Sequence, residues 1–139
     1  MIILTQTDTT VGFLSQNERE LQTLKSRSST KPFIKVYKNF KSLSLRIPQN
    51  KKNMLRRSKK TTFIVKNTAF RITQDSVNSQ ILRDMSWSYS TSANQSGKNY
   101  ERDFCIKKAD IIIEDKNGLH EGVSSSLLKI NAKKVRKLR

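Results

Sequence analysis

The amino-acid sequence predicts an α/β fold built on a mixed sheet, and three observations carry the prediction. Short β-branched and aromatic runs alternate along the chain with segments whose apolar residues recur at helical spacing. Two polar elbows rich in hydroxyls, at residues 7–13 and 90–97, interrupt strand-like runs. Apolar runs recur too regularly for a disordered chain, and none approaches the 18 residues of a membrane span.

In chain order, Ile2 to Leu4 and Val11 to Ser15 read as strands joined by the first elbow. Asn17-Glu18-Arg19-Glu20 opens a helix through Lys25, with acids in its first turn and Lys25 and Arg27 at its end, as the helix dipole prefers. Leu21 and Leu24 supply its buried stripe. Phe33 to Tyr37 is a strand, and residues 40–57 give one or two basic helices interrupted near Pro48. Thr61 to Val65 and Ala69 to Thr73 form a hairpin around Lys66-Asn67-Thr68. Val77, Ile81, Leu82 and Met85 mark a helix from 77 to 85. Ser86 to Ser90 is a strand ending in the second elbow. Ala109 to Ile113 reads as a buried strand closed by Asp115-Lys116-Asn117-Gly118, and Leu127 to Ile130 as another.

A chain of 139 residues supports one domain, residues 1–139, with no room for a second. The hydrophobic fraction of 35% implies a lean core under a well-solvated surface. The net charge of +17 is uneven: fifteen Lys/Arg and no acid fall between Leu21 and Gln74, and six more with no acid between Gly122 and Arg139. A solvated lysine face and a polyanion surface both fit the run from Lys51 to Lys60, which has no aromatic among its charges to stack a base.

Cys105 and His120 are the only residues of their kinds, so a disulfide, a zinc cluster and a histidine-dependent hydrolase are disfavoured. His120 sits in a turn-like Asn-Gly-Leu-His-Glu-Gly run. With no basic residue before Arg19 and no long apolar run, neither a signal peptide nor a membrane helix is expected, and the cytoplasm is the default location.

Three segments hold the candidate chemistry. Residues 90–97, Ser-Thr-Ser-Ala-Asn-Gln-Ser-Gly, offer short donors and acceptors suited to a phosphate, a sugar or a carboxylate. Thr7-Asp8-Thr9-Thr10-Val11-Gly12 is a second such elbow. Lys25, Arg27 and Lys31 place three cations within seven residues.

In this order the segments resemble the YrdC family, the threonylcarbamoyl-AMP synthases. The family's Pro-Thr-Asp/Glu-Thr-x-x-Gly elbow corresponds to Gln6 through Gly12, and its Lys-x-Arg-Pro-x-x-Lys-Pro element to Lys25 through Pro32. Its Val-Arg strand corresponds to Phe70-Arg71, and its Ser-x-Ser-Ala-Asn-x-Ser-Gly signature to residues 90–97. Ser124-Ser125-Ser126-Leu127 is similar to the family's Pro-Ser-Thr-Ile, with Arg136 as the terminal arginine that follows. Gln6 and Ser28 stand where the family has prolines, Arg57-Ser58-Lys59-Lys60 where it has Trp-Pro-Gly-Pro, and the middle of the chain is shortened.

The resemblance implies a twisted mixed parallel/antiparallel open sheet with flanking helices and a concave basic cavity. It also implies a reaction that joins L-threonine, bicarbonate and ATP, with Mg2+, into threonylcarbamoyl-AMP and pyrophosphate. ATP would be held by Lys25, Arg27, Lys31, Ser92, Asn94 and Arg136, and threonine by Thr7, Arg71 and Ser125, with no catalytic acid or base and no resident metal. Partners implied are tRNA threonylcarbamoyl-transfer proteins, with tRNA or double-stranded RNA as a direct ligand. Taken singly, Thr7 also fits a turn cap, Asn94 a left-handed position, Arg71 a solvated strand arginine and Asp8 a residue that orders the elbow. A non-catalytic RNA-binding relative and the carbamoyl-transfer module of hydrogenase maturation factors are the alternative readings.

Overall fold

The computed structural model describes residues 1–26, 33–73, 82 and 85–139. Its frame is a sheet of nine strands: β1 (Ile3–Gln6), β2 (Val11–Ser15), β3 (Ile34–Tyr37), β4 (Thr61–Val65), β5 (Thr68–Ile72), β6 (Trp87–Ser92), β7 (Ile111–Ile113), β8 (Ser126–Ile130) and β9 (Val135–Lys137). Their spatial order is β7-β1-β2-β6-β3-β5-β4-β8-β9. The pairs β1·β7, β3·β5 and β4·β8 are parallel and the other five are antiparallel, so the sheet is mixed and open, as the sequence predicts.

Residues paired across neighbouring strands share a face, so the register sorts the side chains. Leu4, Phe13, Tyr37, Phe70, Phe63 and Ile130 fall on one face. Helices α1 (Glu18–Lys25) and α3 (Arg102–Lys108) cover the β1–β2 end, where Leu21 and Cys105 join Leu4, Val11 and Phe13 in one buried cluster. Helix α2 (Lys52–Arg57) covers the β4–β5 end, where Leu55 joins Phe63, Val65 and Phe70. Each such side chain contributes about 1.5–3 kcal/mol by leaving water. The opposite face carries Gly12, Ser90, Ser92, Ile34, Val36, Arg71 and Thr62. That small and polar set leaves room for a hollow.

Local signals explain most boundaries. Asn17 caps α1 by accepting from the Arg19 N–H at 3.1 Å, and Ser26 ends it in the left-handed region at φ 51°. The hairpin between β4 and β5 turns on Lys66 and Asn67, both at positive φ as a tight two-residue hairpin requires. Three expectations are corrected. The basic stretch 40–57 forms only two short 3-10 turns, Phe40–Ser42 and Gln49–Lys51, before α2. The strand at 87 runs on to Ser92, carrying the first three residues of the 90–97 elbow inside the sheet. β7 is not buried: it pairs with β1 alone at the sheet's edge, leaving Ile111 39% and Ile112 42% exposed. α3 and β9 are additions to the sequence reading. Of the helix expected at 77–85, Leu82 and Met85 are described and helical; the rest lies outside the described residues.

Candidate functional site

The open face carries a cavity of about 310 Å³. Its walls come from the β1–β2 elbow, the middle of β3, Arg71 on β5, Ser90 to Ser92 on β6, Ser124-Ser125 before β8, and Arg139. Gly12 leaves the floor open. A Cβ there would meet Thr7 Cγ2 at 3.1 Å and the Thr91 carbonyl at 3.2 Å.

The elbow is held from within. Thr7 Oγ1 donates to the Thr10 carbonyl at 2.5 Å and accepts from the Thr9 and Thr10 N–H groups, both at 3.2 Å. The Thr7 hydroxyl therefore shapes the turn. Asp8 and Thr9 reach across to Arg71: the guanidinium pairs with the Asp8 carboxylate and donates to Thr9 Oγ1 at 2.9 Å. Burial pulls the Arg71 guanidinium below its ordinary pKa, the adjacent Asp8 charge opposes this, and Arg139 adds a smaller push in the same direction as burial. The buried Arg71 Nε–H has no hydrogen-bond partner among the described residues.

The far wall is built by the tail. Ser125 Oγ hydrogen-bonds Thr62 Oγ1 at 2.7 Å. Arg139 Nε donates to the Ser125 carbonyl at 2.9 Å, with Nη2 3.3 Å from Ser125 Oγ. Among the described residues no carboxylate forms an ion pair with Arg139. The segment leading here is pinned to the elbow at Gly122, whose N–H donates to Thr10 Oγ1 at 3.0 Å. Only glycine fits that approach, since a Cβ would fall 2.0 Å from the Thr9 carbonyl oxygen.

Beside Ser92, at the rim, Lys25 is 4% exposed. Its Nζ donates to the Ser92 carbonyl at 2.9 Å, the Asn94 carbonyl at 2.8 Å and Asn94 Oδ1 at 2.7 Å. Ser92 Oγ also donates to Asn94 Oδ1 at 2.7 Å, and Ser96 Oγ returns a bond to the Lys25 carbonyl at 2.6 Å. The end of α1 and the 90–97 elbow are thus one hydrogen-bonded unit. Asn94 is not left-handed; Gly97 takes that conformation, at φ 77°.

Of the residues singled out from the sequence, Thr7, Arg71, Ser92 and Ser125 line one cavity, with Lys25 and Asn94 knotted together at its edge. Arg27 and Lys31 lie outside the described residues. Arg136 does not line the cavity: on β9 it is paired with Lys129 at the sheet's outer edge. Arg139 reaches it instead, because the tail continues antiparallel to β8 with Leu127 N–H donating to the Arg139 carbonyl at 3.0 Å. Thr9 and Thr10 also line the cavity, and the run of threonines in the elbow is the sequence signal for them; Thr62 supports the wall through Ser125. Burial raises the Cys105 thiol pKa, and the group sits in the core away from the cavity. No group of three or more His, Cys, Asp or Glu among the described residues could hold a metal ion.

No protein-family model matches the sequence, and no curated protein does. Solved structures do. P. abyssi Sua5 complexed with L-threonine superposes at a TM-score of 0.80 with 17% identity over 99% of this chain. The chain spans about half the length of that protein, 49%. E. coli YciO superposes at 0.77 with 16% identity, covering 99% of this chain and 82% of its own. The chain has the YrdC/Sua5 fold. Full-length HypF in a phosphate- and nucleotide-bound form also contains it, at 0.78 and 13% identity over 22% of that protein. Identities this low speak for the fold alone. No helix among the described residues is long and apolar enough to cross a membrane.

Proposed function

We propose that this chain is an L-threonylcarbamoyladenylate synthase, which condenses threonine, bicarbonate and ATP to threonylcarbamoyl-AMP, pyrophosphate and water for tRNA modification. The observation that carries the reading is convergence: Thr7, Arg71, Ser92 and Ser125, drawn from four separate sequence motifs, meet on one cavity of a YrdC/Sua5 fold, and Arg139 joins them. Sua5 of the same fold has been seen with L-threonine, which supports an amino acid as one ligand.

The chemistry asks for positioning and charge stabilisation rather than for a titrating side chain. Arg71, tethered by Asp8 and Thr9, keeps its Nε–H for a ligand oxygen. Arg139 is the cation on the opposite wall suited to a carboxylate or a phosphate. Lys25 holds Ser92 and Asn94 in place beside the entering nucleotide, and Arg27 and Lys31, outside the described residues, are the further cations that the sequence motif offers to the phosphates. Mg2+ would be held by the triphosphate itself, since Asp8, the carboxylate side chain beside the cavity among the described residues, is engaged by Arg71.

Purified protein should release pyrophosphate from ATP only when threonine and bicarbonate are both present. Ser92→Ala should lower that rate, and Arg27→Ala should weaken ATP binding by about 1.5–3 kcal/mol, the range for a hydrogen bond to a charged group. Threonine-independent release, or ATP binding without release under conditions where a known synthase turns over, would refute the synthase.

A specific observation favours a second reading, a non-catalytic RNA-binding role. The two acid-free segments meet in space: Asn50 Nδ2 donates to the Ala132 carbonyl at 2.8 Å, and the Ser126 N–H to the Lys60 carbonyl at 3.0 Å. Lys59, Lys60, Arg56 and Arg57 therefore share one exposed end of the sheet with Lys133, Lys134, Arg136 and Lys137. If tRNA lies there, log affinity should fall with log salt by roughly 0.9 per phosphate neutralised in duplex. Charge reversal at Lys51, Lys52, Arg56 and Arg57 should flatten that slope and leave ATP binding unchanged. Equal competition by heparin and tRNA, with an unaltered slope, would reduce this end to a solubilising surface.

A further inference from the structure

A second and larger cavity, about 570 Å³, lies beside the core cluster under α2 and shares no lining residue with the first. Its volume falls within the range of small-molecule sites. Phe40, Leu43, Leu45, Ile47, Val65 and Ile130 form an apolar hollow. Three of these, Phe40, Leu43 and Leu45, pack against the core with one side only and remain partly exposed.

Three cations stand around this hollow, each from a different element: Arg46 from the loop after the first 3-10 turn, Lys52 at the start of α2, and Lys66 in the β4–β5 turn. Every lining residue belongs to segment 21–74 or 122–139, and neither segment contains an acid. Among the described residues none of the three forms an ion pair. Like charges gathered around an apolar hollow repel one another, and an anion at the mouth relieves that repulsion.

We propose that this cavity binds a free amphipathic anion, a single aliphatic chain ending in a carboxylate or a phosphate. The chain lies in the hollow formed by Leu43, Leu45, Ile47 and Ile130, where its methylenes leave water. The head group meets Arg46, Lys52 and Lys66 through charge-assisted hydrogen bonds. The lining favours a free molecule over a bilayer surface, because the apolar groups turn into a bounded hollow and the neighbouring helix has only six residues.

The test uses the whole chain and displacement of 8-anilinonaphthalene-1-sulfonate, with ligands kept below their micelle thresholds. Decanoate or decyl phosphate should displace the dye at concentrations at least about tenfold lower than decanol, the equivalent of one good charge contact. Decyltrimethylammonium should be the weakest. The exposed-head double variant Arg46→Glu/Lys52→Glu should abolish the preference for the anions, and Leu45→Ala should weaken all chain ligands alike. The relative strength of decanoate and decyl phosphate identifies the head group. Equal displacement by decanol and decanoate would overturn the proposal, as would an anion preference that survives the double charge reversal. So would binding to phosphatidylglycerol vesicles without any displacement by the free anions.

Discussion

Replacing Asp8 with alanine should cost about 3–5 kcal/mol of folding stability, the range for removing one partner of a buried ion pair. The pair is largely but not fully buried, with the Arg71 and Asp8 side chains 9% and 16% exposed, so the lower end of that range is expected. Among the described residues Arg71 would be left with a single neutral acceptor, Thr9 Oγ1, on a strand near the centre of the sheet. Its guanidinium cannot escape by losing its proton. Asp8→Asn should be milder, because an amide oxygen still accepts from the guanidinium. Urea unfolding, with an unchanged dependence on denaturant, measures both. A loss under about 1 kcal/mol for Asp8→Ala would mean the pair behaves as a solvated surface bridge, and Arg71 would then be free to turn toward a ligand carboxylate without a competitor.

That pair marks the boundary of what the sequence could show. Elements specified by their own residues were legible: the helix start at Asn17, the acid-to-base order of α1, the β-branched runs of β4 and β5, and the turn between them, expected at Lys66-Asn67-Thr68 and found one residue shorter. The cavity residues were legible as short local motifs. What those motifs touch was not, because it depends on register. Asp8 and Arg71 are 63 residues apart and meet only because the elbow between β1 and β2 reaches across the open face to β5. The Ile111-Ile112-Ile113 run reads as buried on both sides, yet burial of a strand depends on having two neighbours, and β7 has one. Helix α3 escaped for the opposite reason: its apolar residues Phe104, Cys105 and Ile106 are consecutive and give no helical stripe. In the tail, arginines 136 and 139 look equivalent in sequence. One side chain stays at the sheet's edge while the other folds back onto Ser125, and only the course of the chain beside β8 separates them.

Lys25→Met should have the other large effect, and its two readouts separate two roles for this lysine. Methionine keeps the length and the apolar stem of the side chain while removing the ammonium. The Ser92 carbonyl and the Asn94 carbonyl and Oδ1 then lose the donor that holds them. The Ser92 carbonyl still accepts from the Asn94 N–H at 3.0 Å and Asn94 Oδ1 from Ser92 Oγ at 2.7 Å, so the Asn94 carbonyl is the acceptor left in need of a donor, and the variant should lose about 1–3 kcal/mol if the elbow stays closed. If the elbow opens to water instead, the loss is smaller and protection from hydrogen exchange falls at residues 92–98. Either way the 90–97 elbow, which a nucleotide would contact, is no longer fixed to the end of α1, and ATP affinity should drop by more than the loss of a single charge contact explains. A lysine whose main role was to reach a phosphate would behave differently: Lys25→Met would leave stability and exchange at 92–98 unchanged and weaken ATP alone. The 4% exposure of Lys25 and its three short contacts favour the first outcome. The phosphate charge would then come from Arg139 and from the cations that follow Lys25 in the sequence.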